Sequence, residues 1–222
     1  MTQVWPVIHY DSVQQALDNA AIVVACGCPG VFLISMDGRD DELDQAIMAV
    51  KYRFPELKVG GNYLSLRPLA ALKRCLEMEI HATWADKPGV TSASVTDEAR
   101  EISRLLAANP GHQFFGSVAF KYQAAEPNPA GAAVAAANLG MVATTSGAAT
   151  GKAADVEKLA TMKAALGGAP LALASGVSPE NAHLFVPHTD YFLVSTHITA
   201  STDPDMLSET KLRALMDVTR GG

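Results

Sequence analysis

A single (β/α)8 barrel is the fold class that the sequence predicts, and three observations predict it. Apolar runs of strand length alternate with segments of helical apolar spacing, and the alternation repeats eight times along the chain. Runs such as Val31-Phe-Leu-Ile-Ser35 are continuously apolar, as strands of a parallel sheet buried on both faces must be. Nearly every run ends in a polar residue while its interior stays apolar, which describes a polar cup at one mouth of a barrel. A doubly wound open sheet is the alternative. It would need fewer units or a second domain, and no linker, charge run or low-complexity tract divides residues 1–222. The expectation is one α/β domain of the TIM-barrel type.

Each element has its own signature. Residues 5–10 read as strand one, with Asp11 capping a helix that runs through Leu17 and beyond. Residues 31–35 are strand two. Leu43, Ile47, Val50 and Phe54 then recur at helical spacing, and Pro55 stops that helix. Residues 58–64 are strand three, and Pro68 opens a helix carrying Leu69, Leu72, Leu76 and Ile80. Residues 81–85 are strand four. After a long loop, Thr96 caps a helix with Asp97 and Glu98 in its first turn and Ile102, Leu105 and Leu106 on its buried face. Residues 113–120 are strand five, followed directly by Lys121. The alanine-rich segment 130–138 is a helix that must pack closely, since alanine offers little bulk. Residues 141–144 are strand six, 145–151 a small glycine-bearing loop, and Val156, Leu159, Met162 and Leu166 mark the next helix. Residues 171–174 and 191–196 are strands seven and eight, and residues 207–218 form the closing helix.

The stretch 171–181 carries the strongest functional signal. It reads as a buried strand, a turn at Ser175-Gly176, and a helix start with Ser178 as cap, Pro179 in the first position and Glu180 in the first turn. Glycine lets a backbone approach a ligand, and the unpaired N–H groups of such a start suit an anion, phosphate above all. Strand eight ends in two hydroxyls, Ser195 and Thr196, which a barrel would place beside that turn. The loops after strands seven and eight are the usual phosphate site of such barrels. The expected ligand-holding set is Thr145, Ser146 and Gly147 from the loop after strand six, Ser175, Gly176 and Val177 after strand seven, and Ser195 and Thr196 after strand eight. The plainer reading is a strand–turn–helix unit with no ligand.

Lys121, Asp86, Asn62 and His9 are the candidate catalytic residues. Lys121 follows Val118-Ala-Phe120, so its stem starts among apolar groups; it can serve as a base, a Schiff-base nucleophile or a fixed positive charge. The plainer alternative is an ion pair with a strand-end aspartate. Asp86 suits a general acid or base, or a ligand for a divalent metal, and is equally the natural partner of Lys121. Asn62, beside Gly60-Gly61, can donate to and accept from a substrate hydroxyl, or stabilise its own turn. His9 and His197 sit at strand ends, where a packed histidine is as good a reading as a catalytic one. His81, His112, His183 and His188 have no partner at metal-ligand spacing and read as surface or structural groups.

Composition narrows the class. Net charge is −6 with no lysine or arginine cluster, which argues against nucleic-acid binding. No apolar run reaches the roughly 18 residues of a membrane span, and the first residues lack the basic and apolar regions of a secretory signal. The 3 cysteines, Cys26, Cys28 and Cys75, do not form a disulfide framework, and Cys26-x-Cys28 lacks a second ligand pair for zinc, so a reducing, cytoplasmic setting is expected. No dinucleotide or P-loop fingerprint is present, and no cofactor or metal is expected. A homo-oligomer is expected only because barrels often pair.

Four segments resemble the BtpA/SgcQ family of barrel proteins. Val59-Gly-Gly-Asn-Tyr-Leu64 is similar to the family's asparagine-bearing strand, and Val118-Ala-Phe-Lys121 to its strand-five lysine segment. Val142-Ala-Thr-Thr-Ser-Gly-Ala-Ala-Thr-Gly151 resembles its glycine/threonine loop, and Ala174-Ser-Gly-Val-Ser-Pro-Glu-Asn181 its G-S-G-V-T-P-E-N segment. The chain departs from the family at its short first loop, where Val7-Ile-His9-Tyr10 leads straight to Asp11, and after strand eight, where no lysine or glycine appears in residues 196–200. The resemblance implies a barrel, with some members tied to photosystem assembly and others encoded with sugar-utilisation genes; it implies no particular reaction. Two expectations result. The first is an enzyme, of lyase, isomerase or transferase type, acting on a small phosphorylated metabolite such as a sugar phosphate or a nucleotide-derived phosphate. The second is a non-catalytic barrel that assembles or stabilises a partner protein.

Overall fold

The computed structural model describes residues 1–149 and 151–221. Its strands are β1 (Gln3–His9), β2 (Gly30–Ser35), β3 (Lys58–Tyr63), β4 (Ala82–Ala85), β5 (Gln113–Ser117), β6 (Val142–Ser146), β7 (Leu171–Ala174) and β8 (Tyr191–Val194). They alternate with α1 (Val13–Ala25), α2 (Asp40–Arg53), α3 (Pro68–Glu77), α4 (Asp97–Ala108), α5 (Pro129–Asn138), α6 (Val156–Ala165), α7 (Ala182–Phe185) and α8 (Glu209–Arg220). Every strand is parallel to its neighbours, and β8 pairs with β1, so the sheet closes into the (β/α)8 barrel.

Period-two alternation divides the core in two. Trp5, Val7, Phe32, Ile34, Ala82, Trp84, Phe115, Ala172, Tyr191 and Leu193 point inward and form one cluster. Residues between them on the same strands pack outward against the helices in a second cluster. The inner cluster is built on edge-to-face rings: Phe32 and Phe115 lie 5.2 Å apart at 84°, and Phe115 and Tyr191 5.2 Å apart at 85°. Two glycines make room for them. A Cβ on Gly30 would stand 2.5 Å from the Trp5 indole, and one on Gly60 would collide with the Phe32 ring. The alanines of α5 pack as their size demands, with Ala132, Ala133 and Ala136 fully buried.

Several local expectations are corrected. The cap of α1 is Ser12, which accepts from the Gln15 amide, and Asp11 lies outside the helix. Strand five ends at Ser117: Val118 still donates to Thr144 O at 2.8 Å, but Ala119 turns to φ +47° and breaks the ladder. Thr145 and Ser146 belong to β6, not to the loop after it, and Thr150 of that loop lies outside the described residues. β8 ends at Val194, so Ser195 and Thr196 lie beyond the strand, and a 3-10 turn, Thr196–Ile198, follows. The closing helix starts two residues later than expected, with Ser208 as its cap.

The largest correction concerns residue 178, where no helix begins. Asn181 Oδ1 takes the Ser178 amide at 2.7 Å, and the Asn181 amide closes a β-turn onto Ser178 O, with Pro179 in the position that favours such a turn. The Ser178 carbonyl also accepts from the Ala182 amide at 2.9 Å, so residues 178–181 make a single capped turn that leads into the helix. Only after Asn181 does the chain enter the four-residue α7, too short to focus a helix dipole on an anion.

Candidate active site

Burial and polarity locate the site. The end of β1 and the loops after six other strands converge on a cavity of about 250 Å³ at the C-terminal mouth of the barrel. His9 enters it from β1, Asn62 from β3, Asp86 from β4 and Lys121 from the loop after β5. The β7 and β8 turns supply Ser175, Gly176, Val177, Ser195, Thr196 and His197. β6 contributes nothing, because its hydroxyls are committed to the chain itself.

Asn62 and Asp86 form the polar floor. Asn62 is 1% exposed, and its Nδ2 has no hydrogen-bond partner; neither has the buried Asp86 Oδ1. Burial pushes the Asp86 carboxyl above the usual carboxylate range, against the downward pull of Lys121 and Lys87. The neighbouring Asn62 amide adds a weak pull in the same downward direction without closing a full hydrogen bond. Burial likewise lowers the Lys121 ammonium, while Asp86 and Tyr122 hold it up. Lys121 Nζ lies 5.7 Å from the centre of the Phe120 ring and 6.0 Å from that of Tyr122. His9 is lowered, first by burial and then by Lys121, with Asp205 opposing. One cavity thus holds a carboxyl with raised proton affinity and an amine with lowered affinity, facing each other.

The loop bearing Lys121 is fixed by residues outside the expected set. Gln123 Nε2 donates to Asp86 O at 2.5 Å and to Ser117 O at 3.0 Å, while its Oε1 accepts from the Phe120 amide at 3.1 Å. One side chain therefore ties the ends of β4 and β5 to the lysine loop. Lys158, on α6, donates to Ser146 O at 2.7 Å and to Ala119 O at 3.3 Å. Neither residue comes directly after a strand, and both act on backbone groups, so no strand-end pattern reveals them.

Thr145, Ser146 and Gly147 do not line the cavity, which corrects their expected ligand role. Thr145 Oγ1 donates to Ala119 O at 3.0 Å, and Ser146 Oγ accepts from the Lys121 amide at 2.8 Å and donates to Gly147 O at 2.9 Å. They position the lysine loop. Gly147 and Gly176 clasp the Lys152 carbonyl, which a Cβ on either would strike. Gly176, at φ +77°, therefore serves the chain's own packing as well as the cavity wall. Ser175 shares that left-handed conformation at φ +76°, and its Oγ accepts from the Gly151 amide at 3.1 Å. Ser195 and Thr196 do reach the cavity next to Gly176 and Val177, as adjacent strands require.

The fold and this mouth define a (β/α)8 barrel with a pocket placed where enzymes of this architecture carry theirs. No family model matches the chain, and no curated protein matches it. Solved structures do. Phosphoribosyl anthranilate isomerase from Thermus thermophilus aligns over 99% of both chains with a TM-score of 0.68 at 17% identity. A native KDPGal structure aligns over 98% of this chain and 94% of its own, with a TM-score of 0.72 at 16% identity. Thiamine phosphate pyrophosphorylase from Pyrococcus furiosus aligns over 99% and 96%, with a TM-score of 0.68 at 11% identity. At these identities the likeness establishes the fold.

Among the described residues, no helix is long and apolar enough to cross a membrane, and no group of three or more His, Cys, Asp or Glu side chains is placed to hold a metal ion.

Proposed function

We propose that this barrel is an enzyme acting on a small phosphorylated metabolite, with the reacting end of the substrate at Asn62, Asp86 and Lys121 and its phosphate at the β7 and β8 turns. One observation carries the reading: a buried amide donor on Asn62 and a buried carboxyl oxygen on Asp86, neither closing a full hydrogen bond, belong to residues that line one cavity together with a lysine whose charge burial disfavours. A buried polar atom without any partner costs about 1–3 kcal/mol, and a donor and acceptor that only partly satisfy each other retain a share of that cost, which a ligand oxygen and proton at this wall would relieve. A barrel that only scaffolds a partner has no use for that cost. Environments that push a carboxyl up and an amine down bring both toward neutral pH, where proton transfer is most effective. Asp86 then takes or returns a proton next to a carbonyl or hydroxyl, Asn62 Nδ2 donates to that oxygen, and Lys121 stabilises the charge that develops on it. His9, held neutral by burial, closes the same wall. Gly176, Val177, Ser195, Thr196 and His197 surround the place for the phosphate.

This chemistry belongs to lyases and isomerases that work beside a carbonyl. It agrees with the isomerase named among the similar barrels. The likeness to the BtpA/SgcQ family rests on the four sequence segments alone. The test is deuterium wash-in: a panel of phosphorylated aldoses, ketoses and nucleotide-derived phosphates is incubated with the protein in D2O and monitored by NMR. We expect at least one compound to exchange a carbon-bound hydrogen or to be converted, and Asp86→Asn to abolish it. A panel that neither reacts nor raises the melting temperature overturns the reading.

A further inference from the structure

Three large apolar side chains stand exposed around this one mouth: Met36 after β2, Leu64 after β3 and Tyr122 after β5, at 62%, 42% and 76% exposure. Below them the cavity wall continues through Ile34, Trp84 and Phe120. The opposite wall, at β7 and β8, sets the hydroxyls of Ser175, Ser195 and Thr196 and the His197 ring among the buried apolar Ala174, Val177, Leu193 and Val194. The exposed apolar half of the rim is therefore the β2, β3 and β5 side, where Asn62 and Lys121 also enter, and the rim hydroxyls lie on the β7 and β8 side. Tyr122 stands at that rim on a left-handed backbone, φ +63°, a conformation that side chains other than glycine rarely adopt. A plain sugar phosphate would set hydroxyls against this apolar half and gain nothing from it.

We infer that the substrate carries a flat apolar group, an aromatic ring in the simplest case, seated against Met36, Leu64 and Tyr122, with its phosphate at the β7–β8 turns; this rests on the phosphorylated-metabolite reading. The volume agrees with a compact molecule of that kind. At about 250 Å³ the cavity falls just below the roughly 300–1,000 Å³ typical of ligand pockets, which suits no more than one ring on a short phosphorylated chain. The ring covers apolar surface that otherwise faces water, and it brings the atoms between ring and phosphate over Asp86.

Binding separates this inference from the reading it rests on. Phenyl, benzyl and 2-phenylethyl phosphate are compared by calorimetry with ribose 5-phosphate, inorganic phosphate and benzyl alcohol. The expected result is one aryl phosphate bound about tenfold or more tightly than ribose 5-phosphate, the factor that burying some tens of Å² of apolar surface gives. That preference should fall below about threefold in Leu64→Ser and in Tyr122→Ser, and persist in Tyr52→Ser, a change at an exposed tyrosine of α2 that does not line the cavity. Melting curves of the variants confirm folding. Ribose 5-phosphate binding as well as every aryl phosphate overturns the apolar subsite and leaves the phosphate reading standing. Benzyl alcohol binding as tightly as benzyl phosphate supports the apolar subsite and removes the phosphate. Absence of binding by every phosphate ester overturns both.

Discussion

At the N-terminal end of the barrel, polar side chains close on one another. His112 lies between Ile80 O, 2.9 Å from its Nδ1, and Thr83 Oγ1, 2.8 Å from its Nε2. A carbonyl only accepts, so Nδ1 carries the proton and Nε2 accepts from the threonine hydroxyl. Gln113 Nε2 donates to the Tyr191 hydroxyl at 2.9 Å, and Asp190 Oδ2 accepts from Lys163 Nζ at 2.7 Å and from the Leu171 amide at 2.8 Å. At the C-terminal end of the same strands, and at the starts of the helices beyond them, Thr145, Ser146 and Gln123 are committed in the same way, but some polar capacity is left over. The buried unpartnered side-chain atoms among the described residues are Asn62 Nδ2, Asp86 Oδ1, Gln15 Oε1 and Asp40 Oδ1, and all belong to this end. The difference teaches where the molecule keeps its stability and where it leaves polar capacity open.

The sharpest way to break this contrast is to mutate both ends. Asp86→Asn at the mouth should lower kcat/KM by about a thousandfold, the range typical of a lost general acid or base, with the melting temperature moving by no more than about 4 °C. His112→Leu at the opposite end should leave kcat/KM within about twofold and cost about 1–3 kcal/mol, since it strands the buried Thr83 hydroxyl and the Ile80 carbonyl. That corresponds to a fall of roughly 2–12 °C for a chain of this size. Urea melts and steady-state rates decide it; a mouth variant that unfolds while staying active, or the converse at the other end, erases the distinction.

The paired end also has a pH signature. Burial lowers the His112 pKa below its ordinary 6.5, with the Ile80 carbonyl opposing and His81 adding to the lowering. A depressed folded-state pKa means that the unfolded chain binds the proton more readily. The stability from His112 is therefore complete above pH 6.5 and lost as pH falls through the lower folded value. Protonated Nε2 can no longer accept from Thr83. The slope of melting temperature against pH in that acidic window should be shallower in His112→Leu than in the wild-type chain.

The barrel was legible because its cause is local: period-two and period-3.6 apolar spacing, interrupted at turns, needs no tertiary knowledge. The misread boundaries share a different cause. Val118 and Phe120 are 1% and 6% exposed although they sit in a loop, and burial in a loop looks like a strand in sequence. Thr145 and Ser146 look like loop residues because their hydroxyls serve the backbone of another loop. Ser178 has every mark of a helix cap, and its amide does donate to Asn181 Oδ1, but the chain makes one turn there before the helix proper starts at Ala182. Lys121, Asp86, Asn62 and His9 were readable because a strand end in a barrel fixes where a side chain goes, and the cavity brings all four together. Gln123 and Lys158 act at a distance in sequence on carbonyls and amides, which every residue possesses, so nothing marks them beforehand.

Gln123 permits a finer test. It holds the Asp86 carbonyl and the Phe120 amide together, so it positions the carboxyl against the lysine without touching substrate. Gln123→Leu should lower kcat by about tenfold to a hundredfold with little change in KM, the cost expected when a reacting group is misplaced by around 1 Å. A purely structural role would leave the proton affinity of Lys121 unchanged. The pH dependence of Lys121 acylation, measured by mass spectrometry, should instead shift, and Gln123→Glu, which keeps the acceptor toward Phe120, should recover part of the loss.

The smallest effect concerns the pair at the centre of the mouth. Asp86 is raised by burial and pulled back down by Lys121; Lys121 is lowered by burial and held up by Asp86. Desolvation leads in both, so each group by itself gives up its charge more readily than in water, and the partner limits how far. Lys121→Met removes the pull on the carboxyl, so Asp86 should titrate at a higher pH in the variant than in the wild-type chain. A raised folded-state pKa gives a contribution to stability that is complete below the ordinary carboxylate range and lost as pH rises through the folded value. The variant should therefore retain this contribution to a higher pH than the wild-type chain does. Carbon-13 NMR of the Asp86 carboxyl reads the shift directly. If the carboxyl titrates at the same pH in both proteins, the two groups do not sense each other, and the mouth holds two isolated buried charges instead of one acid–base pair.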